Sequence, residues 1–316
     1  MIDVVAIGEI IVDCTCLSVD ADGFPTLEAH PGGAPANFLA PLAKFGANTV
    51  LMGKVGNDAF GKAMLNVIQK AGVGTQGVVV DDNFFTTMAF VTLDETGDRE
   101  FSFARKPGAD TQLRFEELDL SLIDRCKVFH FGSLPLTDDP CRTATHKAVE
   151  YAKSQGKLIT YDPNLRKPLW KDLEEARGQL LWGLENADVV KISDEEVEFL
   201  FGLDPVEGAA HILENYDIRL VFVTRGPKGC YFSNGKAMGH VEALSGLQVV
   251  DTTGAGDIFG GSAIWKMLQL GVAPQELTEK QLREIVGFAC TSASLSTTRP
   301  GGVSGVFALE EILARM

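Results

Sequence analysis

The segment VDTTGAGDIFGG, at residues 250–261, places a carboxylate inside a glycine-rich turn. The chain passes Gly254, Ala255 and Gly256, and a helix is predicted to begin around Asp257. The first N–H groups of a helix have no partner within it and carry about half a positive charge, so they can hold an anion. A carboxylate there can accept the proton of a hydroxyl group beside a bound phosphoryl group. From these residues alone, a tight turn with Asp257 as a helix cap is the alternative.

Two other nucleotide-binding motifs fit the sequence less well. The dinucleotide motif GxGxxG would need a glycine where Phe259 stands, and it would come late in the chain. The segment GNDAFGKA, at residues 56–63, is close to a P-loop, but Ala63 replaces the hydroxyl that binds Mg²⁺ and Phe60 would crowd the phosphates. We therefore predict that this segment is a turn and a helix start capped by Asp58.

Short apolar runs that recur along the chain predict the strands of a buried sheet. They are DVVAIGE, NTVLMGKVG, KVFHFGS, KLITYDPN, DVVKIS and RLVFVTRG, and a further strand is predicted over residues 246–250. Helical stretches follow most of them, for example at residues 36–45, 59–71, 141–154 and 195–201. This alternation predicts an α/β fold with a doubly wound, mainly parallel sheet flanked by helices.

Two segments interrupt the alternation and are predicted as hairpins. Residues 86–105 have β-rich halves around the turn DETGD, and a second hairpin signal is centred on Asn234 and Gly235. The first hairpin, together with residues 11–17, predicts a small sheet that stands off the main one. An edge extension of the main sheet is the alternative.

The length of 316 residues favours one large domain over residues 1–316. The small sheet is predicted to form a lid on it, from segments near residues 11–30 and 84–110. Hydrophobic residues make up 45% of the chain and charged residues 22%, which is typical of a packed globular protein. Because the unpaired edges of a lid sheet can join another copy, a homodimer through the lid is one option and a monomer the other.

The charge of the chain excludes some partners. With 43 acidic residues against 28 lysines and arginines the net charge is −15, so we expect no binding to nucleic acid or to anionic membranes. An anionic substrate would need a helix N-terminus or a bound cation. The six cysteines are scattered without metal-site spacing and are predicted to be reduced. The first residues resemble neither a signal peptide nor a membrane span, and we expect a cytoplasmic protein.

Two distant signatures resemble those of the PfkB, or ribokinase-like, carbohydrate kinases. They are GGAPANFLAPLAKFG, at residues 32–46, and DTTGAGD, at residues 251–257. The passages REFSFARKPGAD, FHFGSLPLTDDP, TYDPNLRKPLW and ADVVKISDEEVEFL are similar to those of fructokinases within the family. The resemblance implies a ribokinase-like fold and ATP-dependent phosphorylation of a sugar, with D-fructose at its O6 hydroxyl as the expected acceptor. A kinase of 2-keto-3-deoxygluconate or of a riboside, and a catalytically silent sugar-binding or regulatory member, are the alternatives.

The resemblance also implies roles for residues at matching positions. Asp257 corresponds to the catalytic base, and Gly254, Ala255 and Gly256 correspond to the anion hole. The implied sugar site consists of Asp13, Gly32, Gly33, Asn37, Asn164 and Arg166, with Phe101, Phe103 and Arg105 reaching the sugar from the lid. For the lid residues, a solvated arginine and an apolar strand face are an equal alternative.

The implied nucleotide site uses the carboxyl ends of later strands. Lys191 would offset the charge that develops on the phosphate, and the expected adenine site includes Thr224, Gly226 and Gly229. Glu196 matches the last position of the family's NxxE motif, so it would organise Mg²⁺ and phosphate through water, although Ser193 stands at the Asn position. A favourable acidic first turn of a helix is the alternative for that segment. The matching candidates for a monovalent cation, such as K⁺, are Asp251 and Thr253.

Overall fold

The computed structural model describes residues 1–93 and 99–316, and it describes the side chains of all of these except residues 91–93 and 99–101. The strands are β1 Ile2–Ile7, β2 Ile11–Val19, β3 Pro25–Gly32, β4 Thr49–Gly56, β5 Gly74–Asp81, β6 Thr87–Leu93, β7 Arg99–Ala104, β8 Cys126–Gly132, β9 Leu158–Asp162, β10 Val189–Ser193, β11 Leu220–Thr224, β12 Cys230–Ser233 and β13 Met238–Val241. The helices are α1 Ala34–Lys44, α2 Ala59–Lys70, α3 Leu120–Asp124, α4 Cys141–Ser154, α5 Leu173–Asn186, α6 Asp194–Phe201, α7 Pro205–Asn215, α8 Ala255–Leu270, α9 Glu279–Ser296, α10 Gly302–Gly305 and α11 Leu309–Leu313.

The main sheet contains nine strands of the described chain, in the order β13-β12-β11-β10-β9-β8-β1-β4-β5. The seven strands from β11 to β5 run parallel to one another. The last two are antiparallel, and they form the hairpin that Asn234 and Gly235 predict. The strand order reverses beside β1, because β4 and β5 extend the sheet in one direction and β8 to β11 extend it in the other. In open sheets of this kind a crevice forms at the carboxyl ends of the strands near such a reversal.

Helices cover both faces of the main sheet. On one face α1, α2, α8 and α9 contribute to a hydrophobic core, and on the other face α3 to α7 contribute to a second one. Burial on both faces explains why β1 and β4 are almost continuously apolar. The predicted doubly wound α/β fold is therefore confirmed, with β5 as a strand that the apolar runs did not indicate.

The small sheet stands apart from the main sheet, in the strand order β3-β2-β6-β7. Strands β2 and β6 are parallel, while β2–β3 and β6–β7 are antiparallel. The predicted small sheet is confirmed, and the edge extension of the main sheet is wrong. The predicted DETGD turn, at residues 94–98, lies outside the described residues.

The segment before α8 differs from the prediction. Residues 246–250 form no strand, and they run as irregular chain along the loop that follows α9. The backbone N–H of Val250 donates to Thr297 O at 2.8 Å, and that of Asp251 donates to the same oxygen at 3.1 Å. Both N–H groups bond to a single residue of a loop. Because the segment does not lie beside a strand, it cannot form the regular hydrogen bonds of a sheet. Helix α8 begins at Ala255, two residues before the predicted start.

Helices α1 and α8 lie against each other at glycines. A Cβ atom added at Gly261 would meet the backbone oxygen of Phe38 and would lie 2.8 Å from the Cγ of Pro41. A Cβ atom added at Gly260, one residue earlier, would lie 3.3 Å from Cδ2 of the Phe38 ring. The absence of side chains at these two positions lets the helices approach closely, which fixes the start of α8 relative to α1.

Replacing Gly261 with alanine should lower the free energy of unfolding by about 1–3 kcal/mol, because the new methyl group overpacks the contact between α1 and α8. The matched control is Gly287→Ala on α9, where a methyl group meets no atom within 4 Å. That control should raise the free energy of unfolding by about 0.5–1 kcal/mol, since alanine loses less backbone entropy than glycine. Urea unfolding followed by circular dichroism measures both. Equal stability of Gly261→Ala and the wild type would contradict the proposed packing limit.

Candidate active site

The carboxylate of Asp257 lies in the first turn of α8, and the residue is 8% exposed. Two side-chain amides hold its two oxygens. Asn37 Nδ2, from the first turn of α1, donates to Oδ2 at 3.0 Å, and Asn164 Nδ2, from the loop after β9, donates to Oδ1 at 3.1 Å. Asn164 takes the left-handed backbone conformation, with φ 44°, which asparagine tolerates better than most residues. These contacts aim the carboxylate into the space between α1, β9 and α8.

Opposing effects act on the pKa of the Asp257 carboxyl group. Burial raises the pKa of its carboxyl group, and the positive charge of Lys191, the hydrogen bond from Asn37 and the charge of Arg166 lower it. A raised pKa makes the Asp257 carboxylate a stronger base than an ordinary aspartate, which favours acceptance of a proton. The environment therefore suits Asp257 to proton transfer more than to helix capping.

The chain approaches Asp257 through a turn that only small residues allow. Gly254 is left-handed with φ 73°, and a Cβ atom there would lie 2.8 Å from Gly302 Cα and 3.0 Å from Asn37 Nδ2. The first amide bonded along the helix is that of Ile258, which donates to Gly254 O at 2.8 Å. Before it, the N–H of Ala255 donates to Thr252 O at 3.2 Å, whereas the N–H of Gly256 belongs to the open end of the helix. This end presents a positive, side-chain-free surface to an anion.

A lysine lies directly against this helix start. A Cβ atom added at Gly256 would lie 3.1 Å from Lys191 Nζ. The ammonium group donates to both carboxylate oxygens of Asp162, at 2.9 and 3.1 Å. Burial alone would lower the pKa of Lys191, but the negative charges of Asp162, Glu196 and Asp257 outweigh it and raise the pKa. Lys191 therefore remains a cation at the place where the open end of α8 can hold an anion.

A second carboxylate faces this region from the small sheet. Asp13 lies in β2 opposite His30 of β3, and burial raises the pKa of Asp13 to about 6, against the lowering effect of the Arg166 charge. A side chain at Gly32 would collide with the Asp13 carboxylate, and one at Gly33 would lie 2.5 Å from the backbone oxygen of Glu9. The two glycines thus let the N-terminus of α1 approach both β2 and the loop after β1.

One cavity of about 710 Å³ joins these groups between the two sheets. The predicted site residues that line it are Asp13, Gly33, Asn37, Phe103, Asn164, Arg166, Lys191, Asp251, Thr253, Gly254, Gly256 and Asp257. Its size suits a small polar molecule together with the end of a longer ligand. Sequence positions from 13 to 257 therefore meet at one site, as the two signatures predict.

Arg105 does not reach this cavity from the small sheet. The residue is buried just beyond β7, where Nε donates to Asp110 Oδ2 at 2.7 Å, Nη1 to Thr137 Oγ1 at 2.7 Å and Nη2 to Leu134 O at 3.1 Å. All of its nitrogens are thereby used to hold the base of the small sheet against the loop after β8. The expectation of a sugar contact is replaced by this structural role, because the buried Asp110 attracts the guanidinium inward. Phe101, the other aromatic candidate beside Phe103, has a side chain outside the described residues.

Glu196 has a different environment from the predicted one. Its Oε1 accepts from Leu165 N at 2.7 Å and its Oε2 accepts from Ser193 N at 2.8 Å, while Ser193 Oγ accepts from Glu196 N in a capping box. Both carboxylate oxygens thus accept hydrogen bonds from backbone N–H groups. One of these donors, Leu165, is the residue that follows Asn164. Glu196 therefore fixes the loop that carries one of the two amide donors to Asp257.

The predicted adenine-site residues lie beyond the cavity at the same edge of the sheet. Thr224 ends β11 and is opposite Ser193 of β10, so it follows Lys191 along the carboxyl edge. Gly226 and Gly229 border a short turn with positive φ angles of 53° and 85°. These residues follow β11 at the carboxyl edge of the sheet, and their role in adenine binding stays a prediction.

The cation candidates Asp251 and Thr253 form a compact turn at the rim of the cavity. Asp251 Oδ1 accepts from the backbone N–H and the hydroxyl of Thr253, at 2.9 and 2.6 Å, and Oδ2 accepts from Gly301 N at 2.8 Å. Over the described residues, no group of three or more His, Cys, Asp or Glu side chains could hold a metal ion. A Mg²⁺ ion that binds mainly through ligand phosphates and water does not require such a group.

Two acids of the site were missed by the sequence reasoning. Glu9 lies two residues after β1 and lines the cavity, and Asp162 is the last residue of β9, so an acid at the end of an apolar run was the available signal for both. Gly302 ends the segment TSASLSTTRPGG, which the resemblance assigns to the adenine site, and nothing in that segment indicated a place beside Asn37. Its contact with Gly254 and Asn37 becomes visible when residues far apart in sequence meet.

Replacing Glu196 with glutamine should lower the free energy of unfolding by about 1–3 kcal/mol, because an amide N–H₂ group would face a backbone N–H donor. Thermal unfolding in EDTA without nucleotide measures this effect. The exposed neighbour Glu195, changed to glutamine, serves as the control and should leave stability unchanged. If Glu196 acted only on a metal ion through water, the variant would unfold like the wild type under these conditions.

No helix in the described residues is both long enough and apolar enough to cross a membrane.

Residues 1–307 match the profile of the pfkB family carbohydrate kinases. Fructokinase-1 of Zea mays is 40% identical over 313 residues, which cover 98% of this chain and 96% of that protein. The crystal structure of a fructokinase from Xylella fastidiosa with bound ATP is similar in fold, with a TM-score of 0.88 and 28% sequence identity, and the match covers 98% of this chain and 97% of that chain. The crystal structure of a fructokinase double mutant from Vibrio cholerae O395, in fructose, ADP and potassium ion bound form, has a TM-score of 0.85 and 29% identity, and the match covers 99% of this chain and 98% of that chain. This chain therefore belongs to the pfkB family of carbohydrate kinases.

Proposed function

We propose that this protein is an ATP-dependent fructokinase that converts D-fructose to fructose 6-phosphate. The observation that carries the proposal is the buried Asp257 carboxylate, which shares one cavity with Asp13 of the small sheet and with the open start of α8. A sugar between the two carboxylates and a nucleotide phosphate at the helix start would be neighbours. The names of the relatives support this assignment, since a fructokinase 40% identical to this chain covers nearly all of it.

The transfer follows from the positions of the charged groups. Asp257 accepts the proton of the O6 hydroxyl, and the sugar oxygen forms a bond to the γ-phosphorus of ATP. The bond from that phosphorus to the bridging β–γ oxygen breaks, and ADP leaves with the electron pair. Lys191 and the open start of α8 at Gly254 and Gly256 stabilise the charge on the transferring phosphoryl group, while the N–H of Ala255, the third residue of the predicted anion hole, donates to Thr252 O. When bound, Mg²⁺ neutralises part of the triphosphate charge.

The charges around the sugar end favour a neutral acceptor. Asp13, Glu28 and Asp257 line the cavity there, with Arg166 as an opposing cation. An ionised carboxylate accepts hydrogen bonds from two sugar hydroxyls, whereas it repels an acidic sugar such as 2-keto-3-deoxygluconate. Fructose is therefore preferred to the acidic alternative. A riboside stays a second candidate within the same reaction class, and the acceptor panel below separates it.

The remaining ligand assignments follow the same sites. The adenine moiety is proposed to lie along Thr224, Gly226 and Gly229, where the edge of the sheet continues past Lys191. A K⁺ ion is proposed beside Asp251 and Thr253, in line with the potassium-bound Vibrio cholerae fructokinase. Six unpaired cysteines, five of them buried, support a reducing compartment such as the cytoplasm.

We further propose that residues 1–316 form one domain and that the small sheet is its lid, built from segments near 11–30 and 84–110. Asp13, Thr15, Leu17 and Phe103 of the small sheet line the cavity, so closure over a sugar would exclude water and limit ATP hydrolysis. The far end of the β2–β3 hairpin is apolar and exposed, at Val19 61%, Phe24 75% and Leu27 39%. Apolar side chains at an open sheet edge support a homodimer through the lid.

Substituting asparagine for Asp257 should reduce kcat by about 10²- to 10⁴-fold, because the amide cannot accept the hydroxyl proton. Steady-state kinetics with ATP and fructose measures the loss, and calorimetric titration should show nearly unchanged nucleotide affinity. Glu174→Gln, at an exposed acid in the first turn of α5, is the control. A near-wild-type kcat for Asp257→Asn would rule out its role as base. The same assay with fructose, ribose, 2-keto-3-deoxygluconate and nucleosides identifies the acceptor. If none of these, fructose included, is phosphorylated, the result would favour a silent sugar-binding member.

A change of Phe24 to glutamate should shift the protein from dimer to monomer, since the charge would lie in the proposed contact between lids. Light scattering after size-exclusion chromatography measures the mass. Val206→Glu, at a half-exposed apolar residue on α7, should leave the mass unchanged. A monomeric wild-type protein at micromolar concentration would reject the dimer without affecting the proposed reaction.

A further inference from the structure

Glu9 is a buried acid at the sugar end of the cavity that the reaction described above does not use. It lies in the loop after β1 and is 3% exposed. Its Oε1 accepts a hydrogen bond from the backbone N–H of Ala34 at 2.7 Å, across 25 residues of sequence. Burying a carboxylate costs solvation free energy, so the group that it contacts indicates its role.

The partner is the first residue of α1, a helix that lacks a local cap. Gly33 stands at the N-cap position without a side chain to accept an N–H, Pro35 has no N–H, and the first turn contains no acidic residue. Helix starts are usually stabilised by a nearby oxygen or by a negative charge. Glu9 supplies both from a different part of the chain. Its backbone also touches the cap, since a Cβ at Gly33 would lie 2.5 Å from Glu9 O.

The same first turn carries the donor to the catalytic base. Asn37 N donates to Gly33 O at 3.2 Å, and Asn37 Nδ2 donates to Asp257 Oδ2 at 3.0 Å. Gly302 packs against the other side of the Asn37 amide, where a Cβ would collide with Oδ1. A shift of the first turn of α1 would therefore move Asn37 away from Asp257 or into Gly302.

We propose that Glu9 is a positioning residue for phosphoryl transfer: by holding the Ala34 N–H it fixes the first turn of α1 and keeps Asn37 on Asp257. The proposal rests on the assigned function to the extent that turnover depends on Asp257. The route is a continuous series of contacts, from Glu9 to Ala34, through one helical turn to Asn37, and from Asn37 to the base.

The charges that face Glu9 come from the base of the small sheet and from α4. Burial raises the pKa of Glu9 to about 7, the hydrogen bond from Ala34 and the charge of Arg105 lower it, and Asp110 raises it. The thiol of Cys141, at the start of α4, has its own pKa raised to about 12 by burial and does not ionise near neutrality. Because a protonated carboxyl group keeps a carbonyl oxygen, the contact with Ala34 survives on either side of the Glu9 pKa.

Two substitutions separate the hydrogen bond from the charge. Glu9→Gln keeps an oxygen for the Ala34 N–H, and it should retain kcat within about 5-fold. Glu9→Ala removes the acceptor, and it should lower kcat by about 10- to 100-fold, since a small displacement of a catalytic group is costly. KM for fructose should change by less than about 3-fold in either variant. A direct contact between Glu9 and the sugar would instead raise KM in both.

The pH profile distinguishes positioning from a loss of stability alone. The hydrogen bond from Asn37 lowers the pKa of Asp257, so its loss raises that pKa. The base is active when deprotonated, and the acid limb of kcat in Glu9→Ala should therefore move to higher pH. In Glu9→Gln the limb should stay at the wild-type position, which also shows that the titration does not belong to Glu9. Asp172→Ala, which removes the capping carboxylate from Glu175 N in α5, should lower the melting temperature without moving the limb.

A double-mutant cycle with Asn37→Ala tests the route. If Glu9 acts through Asn37, the double variant should be no slower than Asn37→Ala within about 3-fold, whereas independent effects would multiply. The proposal is overturned if Glu9→Ala keeps the wild-type kcat and acid limb, if Glu9→Gln is as impaired as Glu9→Ala, or if the two losses multiply.

A measurement without substrate separates this proposal from the proposed function. Carboxyl-¹³C NMR of aspartate-labelled protein, with Asp257→Asn for assignment, gives the pKa of Asp257 directly. That pKa should be higher in Glu9→Ala than in the wild type and in Glu9→Gln, whatever molecule the enzyme phosphorylates. An unchanged pKa would reject the positioning role even in an active fructokinase, and an inactive protein with the shifted pKa would reject only the function.

Discussion

The hydrogen bonds that hold the Asp257 carboxylate are the constraint on which the rest of the site depends. A carboxylate in a buried position tends to become neutral, and here two amides and a neighbouring lysine oppose that tendency. The amides come from α1 and from the loop after β9, and Lys191 comes from β10. A doubly wound sheet brings these three sources together, because the carboxyl ends of its parallel strands lie at one edge.

An acidic protein can bind a polyanionic nucleotide because the positive potential is local. The chain carries a net charge of −15, yet the open end of α8 and the ammonium group of Lys191 meet at Gly256. Asp162 holds the ammonium in place, and it keeps Lys191 charged in a buried setting. A basic surface is therefore not required. At the other end of the cavity, the proposed function needs only the carboxylates of Asp13 and Asp257, which can accept hydrogen bonds from hydroxyl groups and would repel an acidic ligand.

The features that the sequence determined were those with a local physical cause. Apolar runs of strand length indicated the six strands from β1 to β11 that the prediction named, because burial on both faces leaves little room for polar residues. Glycines before an acid predicted an anion site at Gly254 and Gly256, and the local reason is the turn itself, because glycine takes the positive φ of 73° at Gly254 without steric cost. The run at residues 246–250 shows the limit of this reasoning, as an apolar segment becomes a strand only beside a neighbour with a free edge.

For polar side chains whose partners lie far away in sequence, the partner was decided by the tertiary structure. Arg105, expected at the sugar, turns inward because Asp110 and Thr137 lie beneath it, and Glu196 Oε1 accepts from the backbone N–H of Leu165, 31 residues away in sequence. Glu9 meets Ala34 across 25 residues for the same reason. A sequence fixes which groups can donate, accept or carry charge. Hydrogen bonds and Coulomb forces act over a few ångströms, so which groups meet depends on how distant segments pack.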